Sequence, residues 1–336
     1  MTRATGVGSM PALVSADPAR TYAEAVRTVL GELPELPHVP ELPGRGAGAE
    51  MTGRTLAVVA GLGADLQPAG WRLTDAAGVD HRRARSLLAQ DLDQVEEQTQ
   101  GYVGPFKTQV TGPWTLAATV EKPRGDKVLS DHGARRDLAQ ALAEGVRDHV
   151  ADLRRRLPGV DRLVVQVDEP ALAAVLAARV PTASGFGRHR VVHPPEASAA
   201  LEWVLSAIAD SGAEPWVHSC AAGTPLGLLR GAGARGLAVD LAQLSAEDHD
   251  ELGQALEAGE TVALGVLPTT EPADPGDDAR LAERVLRWLD MLGFDPEEVG
   301  DRLVVSPACG LAGSSADWAR RALTLTRATA QALTHG

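Results

Sequence analysis

Short, continuous apolar runs alternate along this chain with longer segments of helical periodicity, and this alternation is the strongest constraint on the fold. Strands that are covered by helices on both faces read as uninterrupted apolar runs, because neither face meets water. The clearest runs are residues 163–167, 215–217, 236–239, 261–264 and 303–305, and the weaker ones are 4–8, 36–39 and 106–110. The pattern therefore predicts eight buried strands.

Helical segments separate the later strands. Apolar positions at helical spacing mark residues 134–157, 197–210, 246–258, 278–292 and 315–332. Alternating strands and helices are typical of a parallel α/β sheet, and eight such strands favour closure into a (β/α)8 TIM barrel. No change of composition marks a second domain, so we expect residues 1–336 to form a single barrel domain.

One long region interrupts this alternation. Residues from about 50 to 104 have a helical pattern and are too many for one crossover between neighbouring strands. We therefore expect a helical insertion between strands 2 and 3.

The charge of the chain excludes some partners. Asp and Glu number 45 against 32 Lys and Arg, a net charge of -13, whereas phosphate binding needs a basic surface. We therefore expect no nucleic-acid partner. No apolar run approaches the roughly 20 residues that span a bilayer, and the N-terminus lacks the apolar core of a signal peptide. These features predict a cytoplasmic protein without a membrane partner.

The two cysteines of the chain stand at strand ends. His218 and Cys220 are two positions apart where the run 215–217 ends, so both side chains point to one side of an extended segment. Cys309 follows the last predicted strand, and strand ends that are far apart in sequence converge at the mouth of a barrel. Imidazole and thiolate suit zinc, so the pattern predicts a Zn²⁺ site. The alternative is a pair of buried, inert thiols.

Acidic residues also follow predicted strands. Asp168 and Glu169 close the very apolar run 163–167, where a buried charge is costly unless it has a partner. They are candidates for binding a ligand, and the alternative is that they cap a helix. Asp240 ends the run 236–239 and is a candidate oxygen ligand. For Glu41, after the run 36–39, we expect exposure to solvent. Ser9 lies in a glycine-rich turn that offers amides and a hydroxyl to a carboxylate.

Taken together, these motifs resemble the catalytic barrel of the cobalamin-independent methionine synthase family, in a single-barrel form. The family has a Gly-Ser-Phe-Pro-like start, a Thr-Gly-Pro segment and a strand end that reads Gln-Ile-Asp-Glu-Pro-Ala. The matching segments here are residues 8–11, 111–113 and 166–171. The family's zinc site uses His-x-Cys, a strand-end Glu and a Cys before Gly-Leu, and these align with His218, Cys220, Asp240 and Cys309.

This resemblance implies a zinc-dependent methyltransferase that converts homocysteine to methionine. Ser9 would hold the carboxylate of homocysteine, while Asp168 and Glu41 would hold its amino group, with Glu169 beside them as a further substrate-binding acid. The methyl donor it implies is 5-methyltetrahydrofolate with a polyglutamate tail.

Three features depart from the family pattern. Asp240 stands where the family has Glu, so its arm is shorter. The family's catalytic His in the loop after strand seven is missing, since residues 265–270 read GVLPTT. The long form of the enzyme has two barrels, and this chain has room for one. An amine donor must be protonated as it leaves, and the candidates for the general acid are His189 and His193.

Three other functions fit parts of the pattern. A relative of uroporphyrinogen decarboxylase would need arginines for several carboxylates and no metal. A methyltransferase with a corrinoid-protein donor would share the zinc site and need a protein partner. A non-catalytic relative would bind zinc or a thiol without turnover. The metal content and a panel of methyl donors separate these possibilities.

Overall fold

A computed structural model describes residues 1–11, 17–274 and 276–335 of the chain as an α/β structure. Its strands are β1 Arg3–Ala4, β2 Gly63–Gln67, β3 Gly70–Thr74, β4 Gly104–Thr111, β5 Val160–Asp168, β6 Glu214–Ser219, β7 Gly236–Asp240, β8 Thr261–Leu267 and β9 Leu303–Pro307. Its helices are α1 Pro18–Glu32, α2 Met51–Val58, α3 Val79–Gln98, α4 Pro113–Thr119, α5 His132–Arg156, α6 Leu172–Leu176, α7 Pro194–Asp210, α8 Leu226–Gly231, α9 Ala246–Glu257, α10 Asp278–Leu292, α11 Pro296–Val299 and α12 Ala316–His335. Among the helices of these described ranges, none is long and apolar enough to cross a membrane.

Seven of the strands form one curled parallel sheet. Their spatial order is β1-β9-β8-β7-β6-β5-β4. Residues 37–41 lie between the two edge strands, with a parallel bridge between Ser9 and Glu41 on one side and between His38 and Lys107 on the other. The backbone amide of Val39 donates to the Lys107 carbonyl over 2.9 Å. The architecture is thus TIM-barrel-like, and the weak apolar run 36–39 contributes these bridges instead of a regular strand.

The region of residues 50–104 is only partly as predicted. It contains α2 and α3, but between them β2 and β3 form an antiparallel hairpin that we did not predict. Trp71 of β3 is buried, whereas Leu66 of β2 is partly exposed. The prediction of a wholly helical segment was wrong because each strand is only five residues long, so its alternation of apolar and polar residues was overlooked beside the longer helical pattern. Helix α3 packs against α2 and leads into β4.

The inner face of the curled sheet is apolar near the amino ends of the strands and polar near their carboxyl ends. Leu36, Val164, Trp216, Ala238, Ala263 and Val304 form a cluster separate from the main core. Side chains two positions apart on a strand share one face. Gln166, Asp168, His218 and Asp240 therefore lie on the same face as this cluster, nearer the carboxyl ends of the strands. The alternation of β5, β6 and β7 thus carries the predicted site residues into the interior of the curled sheet.

Candidate functional site

The cysteines and one histidine meet at the carboxyl ends of β6 and β9. Cys220 Sγ lies 2.6 Å from Cys309 Sγ, and Cys309 Sγ lies 3.7 Å from His218 Nε2. The three ligand atoms all lie within 4.8 Å of one another, and both cysteines are free thiols. The sequence separates Cys220 from Cys309 widely, so this cluster exists only because the strand ends converge. The structure thus brings together three of the four residues that we assigned to the metal.

The cluster has the chemistry of a zinc site. His218 Nδ1 donates to the Ala238 carbonyl over 3.0 Å, which fixes the tautomer and leaves the Nε2 lone pair pointing towards the thiols. The hydrogen bond from the Cys309 thiol lowers the pKa of Cys220, whereas the contact with Cys220 together with burial raises the pKa of Cys309. One imidazole and two sulfurs match the ligands and ligand count of a zinc site that keeps a position open. The donor set therefore fits the predicted ion.

Asp240, the fourth ligand of the prediction, is placed differently. Its Oδ1 accepts from the Ala242 amide over 2.9 Å and caps the short helical turn Leu241–Gln243. Among the described residues, the group of mutually close ligand atoms holds only the one histidine and the two cysteines. A short Asp side chain reaches its own following backbone easily, and this bond holds the carboxylate outside the group.

A cavity of ≈ 270 Å³, here called the acidic cavity, opens beside His218 and Cys309. Three carboxylates reach its wall, those of Glu41, Glu50 and Asp168. The complete lining is Val7, Gly8, Ser9, Glu41, Pro43, Glu50, Met51, Asp168, Pro170, His218, Cys309 and Gly310. A small ligand with a positive charge and a sulfur atom would find partners for both on this wall.

Glu41 contradicts our expectation of exposure. Its side chain is buried, with 4% of the residue exposed, because residues 37–41 lie between the sheet edges instead of on the surface. Burial raises the pKa of Glu41 to about 7, against the opposing effect of Arg54, whose Nε lies 3.6 Å from Glu41 Oε1. A carboxyl group with this pKa is easily ionised by a cationic ligand at neutral pH.

Asp168 is held by a hydrogen-bonded chain that begins at a buried lysine. Gln166 Nε2 donates to Asp168 Oδ1 over 2.7 Å, and Lys107 Nζ donates to Gln166 Oε1 over 2.9 Å. Lys107 also donates to the Val7 carbonyl over 2.9 Å and is fully buried. Burial lowers the pKa of Lys107 to about 8, while Asp168 and Glu41 oppose that shift. Sequence reasoning missed Lys107, although a lysine inside the predicted strand 106–110 was a usable signal.

Glu169 does not share the wall of the acidic cavity with Asp168. Its carboxylate accepts from the Trp114 amide over 2.9 Å, from the Thr115 amide over 2.8 Å and from the Thr115 hydroxyl over 2.7 Å. It thereby satisfies amides at the start of α4, and Gly112 leaves room for it, since a Cβ there would overlap the carboxylate. The capping alternative describes this residue, with the correction that it caps α4, which precedes β5 in the chain, instead of the helix that follows β5.

Ser9 lies on the wall of the acidic cavity in a tightly packed place. The Leu311 amide donates to the Ser9 carbonyl over 2.8 Å, which ties the turn after β1 to the segment after β9. A Cβ at position 310 would overlap the Ser9 hydroxyl, so only glycine fits there. The loop that carries Cys309 and the loop that carries Ser9 therefore hold each other in place.

Neither histidine proposed as a general acid lies at the thiols. His193 is exposed and precedes α7, whereas His189 is buried with its Nε2 3.4 Å from Asp126 Oδ1. Within the described part of the chain, neither belongs to the lining of the cavities that contain the cysteines. The structure thus places both histidines outside the cavities at the thiols, where a general acid was expected.

A second cavity of ≈ 530 Å³, here called the outer cavity, lies on the other side of the thiols. Cys309 lines both cavities, while Cys220, Asp240 and Arg284 line only the outer one. The end of β8 and the loop that follows it, residues 265–270, form much of its wall. Two ligands, one in each cavity, could therefore contact each other beside Cys309.

Known proteins share this architecture. The sequence profile of the family described as "Cobalamin-independent synthase, Catalytic domain" matches residues 76–332. The chain is similar to a B12-independent methionine synthase from Shewanella sp. W3-18-1 in complex with selenomethionine, with 15% identity, 99% of this chain and 97% of that chain covered, and a TM-score of 0.63. It is also similar to GH5_18 from Streptomyces cattleya in complex with GlcNAc, with 15% identity, coverage of 99% and 80%, and a TM-score of 0.48. No curated protein matches the chain. At this identity, the similarity to the solved structures concerns the fold.

Proposed function

Since the chain belongs to the family of cobalamin-independent synthases, catalytic domain, it is a methyltransferase of that kind, and we propose that it methylates homocysteine to methionine with Zn²⁺ bound. The observation that carries this proposal is the position of His218, Cys220 and Cys309 on the wall between two cavities, one of which is acidic. We further propose that the whole chain acts as one barrel domain.

The acidic cavity has the groups that homocysteine requires. Glu41 and Asp168 offer two carboxylates to its ammonium group, and the Ser9 hydroxyl and nearby amides offer donors to its carboxylate. With both ends held in this way, the substrate sulfur would lie at the thiol side of the cavity. The selenomethionine in the Shewanella structure, an analogue of the product methionine, supports this choice of substrate class.

We propose that His218, Cys220 and Cys309 hold the zinc ion. Asp240 would join them only by giving up its bond to the Ala242 amide. When bound, the ion would supply the positive charge that keeps a thiol ionised at neutral pH. The protein residues then orient the substrate: Lys107 and Gln166 fix the carboxylate of Asp168, which in turn fixes the ammonium group of homocysteine.

The methyl donor that we propose is 5-methyltetrahydrofolate, placed in the outer cavity. The sulfur–carbon bond forms as the carbon–nitrogen bond of the donor breaks, and the leaving nitrogen takes a proton. Since neither His189 nor His193 is among the described residues of the outer cavity, we propose that this proton arrives from solvent through the cavity. A corrinoid-protein donor is the alternative outcome of a donor panel.

The test is the zinc content of the purified protein and of the variants Cys220→Ser and Cys309→Ser. We expect about one zinc per chain in the wild type and loss of the metal in both variants, together with loss of homocysteine methylation. Ser219→Ala is the matched control, because Ser219 lies next to Cys220 and its hydroxyl bonds to Thr224 instead. Metal-free wild-type protein that methylates homocysteine would refute the proposal.

A further inference from the structure

The region of residues 50–104 brings a buried arginine next to Glu41. Arg54 of α2 has 6% of its surface exposed, and its Nε lies 3.6 Å from Glu41 Oε1. Asp91 of α3 binds the same guanidinium group, since Arg54 Nη1 donates to Asp91 Oδ2 over 2.6 Å. We propose that Arg54, restrained by Asp91, is a positioning residue that keeps the Glu41 carboxylate ready to receive an ammonium group. This inference rests on the proposed function, since it concerns the amino-acid ligand of the acidic cavity.

Asp91 is almost completely buried and is held by two arginines. Its exposed fraction is 1%, and its second oxygen, Oδ1, accepts from Arg45 Nη1 over 2.7 Å. The Arg45 guanidinium group lies 5.1 Å from the centroid of the Tyr22 ring, whose hydroxyl donates to the carbonyl of Pro40, the residue before Glu41. A buried charge is costly unless its remaining acceptors are satisfied. Both oxygens of Asp91 are occupied, so this carboxylate is fixed and in turn fixes the arginine beside Glu41.

The restraint by Asp91 places a positive charge near Glu41 without a close hydrogen bond. A hydrogen bond between a guanidinium group and a carboxylate is about 2.7–2.9 Å long, whereas Arg54 Nε and Glu41 Oε1 are 3.6 Å apart. Arg54 therefore stabilises the charge of Glu41 and leaves acceptor sites of the carboxylate open. An unrestrained arginine would bind the carboxylate through two N–H groups and occupy the sites that an ammonium group needs. Asp91 thus prevents Arg54 from competing with the ligand.

The charge of Glu41 is sensitive to its neighbours because the carboxyl group is buried. Burial raises the pKa of Glu41 to about 7, and Arg54 has the strongest opposing effect. The charged and titratable groups that face Glu41 are Arg54 of α2, Lys107 of β4 and Asp168 of β5, with Glu50 and His218 on the wall of the same cavity. Without Arg54, the pKa of Glu41 would rise further and the carboxyl group would be mostly protonated at neutral pH. Binding of an ammonium group would then depend strongly on pH.

Calorimetric titration of the zinc-loaded full chain with L-methionine and with 4-(methylthio)butanoate tests the inference. The second molecule lacks only the amino group, so the ratio of the two affinities measures the preference for an ammonium group. Arg54→Met should lower this preference about fivefold at pH 7 and about twofold at pH 8, as expected if the acid dissociation constant of Glu41 falls about tenfold. Arg54→Lys keeps a cation and should restore most of the preference. Arg83→Met, which changes an exposed arginine of α3, is the control.

A second readout follows Glu41 without any ligand. Carboxyl ¹³C NMR gives the titration midpoint of Glu41, and Glu41→Gln assigns the signal. The midpoint should rise in Arg54→Met, where the cation is lost. It should fall in Asp91→Asn, where the released arginine binds Glu41 directly, and the ammonium preference should fall in this variant as well. Opposite shifts of the midpoint with the same loss of preference would distinguish charge from restraint.

The outcomes separate this inference from the proposed function. If the wild type prefers methionine and Arg54→Met keeps that preference, or loses it equally at pH 7 and pH 8 as a purely structural change would, the inference is overturned and the proposed function stands. If neither ligand binds the wild type, the proposed function falls and the Glu41 midpoint decides. A midpoint that rises in Arg54→Met then supports the role of Arg54, and an unchanged midpoint overturns it.

Discussion

Replacement of Lys107 by Met removes a buried cation that interacts with Asp168 and Glu41 of the acidic cavity. Met has a similar length and fills the space, so the change deletes charge and hydrogen bonds more than volume. Gln166 Oε1 loses its donor and the Val7 carbonyl loses one of two, since Lys107 Nζ lies 2.9 Å from each of them and Gln166 Nε2 still donates to the Val7 carbonyl over 2.9 Å. The substitution therefore isolates the electrostatic contribution of one buried residue.

The expected loss of stability follows from these contacts. A buried acceptor that is left without a donor costs about 1–3 kcal/mol, while the cost of burying the ammonium group disappears and offsets part of this. We expect the free energy of unfolding to fall by about 1–3 kcal/mol. The pKa values of Asp168 and Glu41 should rise, because Lys107 lowers both, and homocysteine should bind more weakly at neutral pH.

Urea unfolding followed by circular dichroism measures the first effect, and calorimetric titration with homocysteine measures the second. Lys122→Met is the control, since Lys122 is partly exposed outside the sheet. The proposed role of the hydrogen bonds from Lys107 through Gln166 to Asp168 would be refuted if Lys107→Met were as stable as the control variant and bound homocysteine with wild-type affinity.

Four further predictions concern other residues of the site. The pKa of Glu41 is raised from 4.5 to about 7, so the folded protein binds this proton more strongly than the unfolded chain and loses stability as pH rises from 4.5 to 7. Glu41→Gln removes this titration and should be about 1–3 kcal/mol more stable than wild type at pH 8, with no gain near pH 4. Urea titrations at the two pH values measure the difference. Glu169→Ala leaves buried donors of α4 without an acceptor and should lower the free energy of unfolding by about 2–4 kcal/mol, measured in the same way. Gly310→Ala places a methyl group on the Ser9 hydroxyl and should displace the Cys309 loop, which a competition assay with a chelator would show as weaker zinc binding. His189→Gln and His193→Gln should each keep turnover within about twofold of wild type in a methyl-transfer assay, whereas loss of a positioned general acid costs about 10²–10⁴-fold.

Each of these predictions has a contrary outcome, and two of them have a matched control variant. A stability gain of Glu41→Gln that is the same at pH 4 and pH 8 would exclude the titration as its cause. Unchanged stability of Glu169→Ala would contradict its capping role, with the exposed Glu247→Ala on α9 as the comparison. Wild-type zinc affinity in Gly310→Ala would show that the loop adapts, and Gly313→Ala, which has open space, is the control. A hundredfold loss in either histidine variant would restore that residue as the general acid.

Several elements were predictable because their signals are local. The predicted helix 278–292 coincides with α10, where Asp277 caps the first turn through the Arg280 amide and Gly293 ends the helix at φ 78°. The predicted strands 163–167 and 236–239 lie within β5 and β7. The meeting of His218, Cys220 and Cys309 also followed from a rule about strand ends, so it needed no knowledge of the distances.

Other features depended on contacts between distant residues. The sequence placed Asp168 and Glu169 side by side as substrate-binding acids, but neighbours on a strand point to opposite faces, and only the first reaches the acidic cavity. Asp240 ends its strand as expected, yet its bond to the Ala242 amide competes with the proposed ligand role. The hairpin of β2 and β3 was not predicted because each strand has only five residues. It is defined by the antiparallel pairing between the two strands, which only the structure shows.

The sequence by itself determined the alternation of strands and longer helices from β5 to α12, the strand-end location of the thiols and the family to which the chain belongs. These properties rest on periodicity, capping and short motifs, which neighbouring residues encode. Only the tertiary structure decided that Glu41 is buried, that the buried Lys107 interacts with both acids and that Arg54 of α2 lies beside Glu41. Burial and electrostatic environment are sums over residues that are far apart in the chain, and closure of the sheet is what brings those residues together.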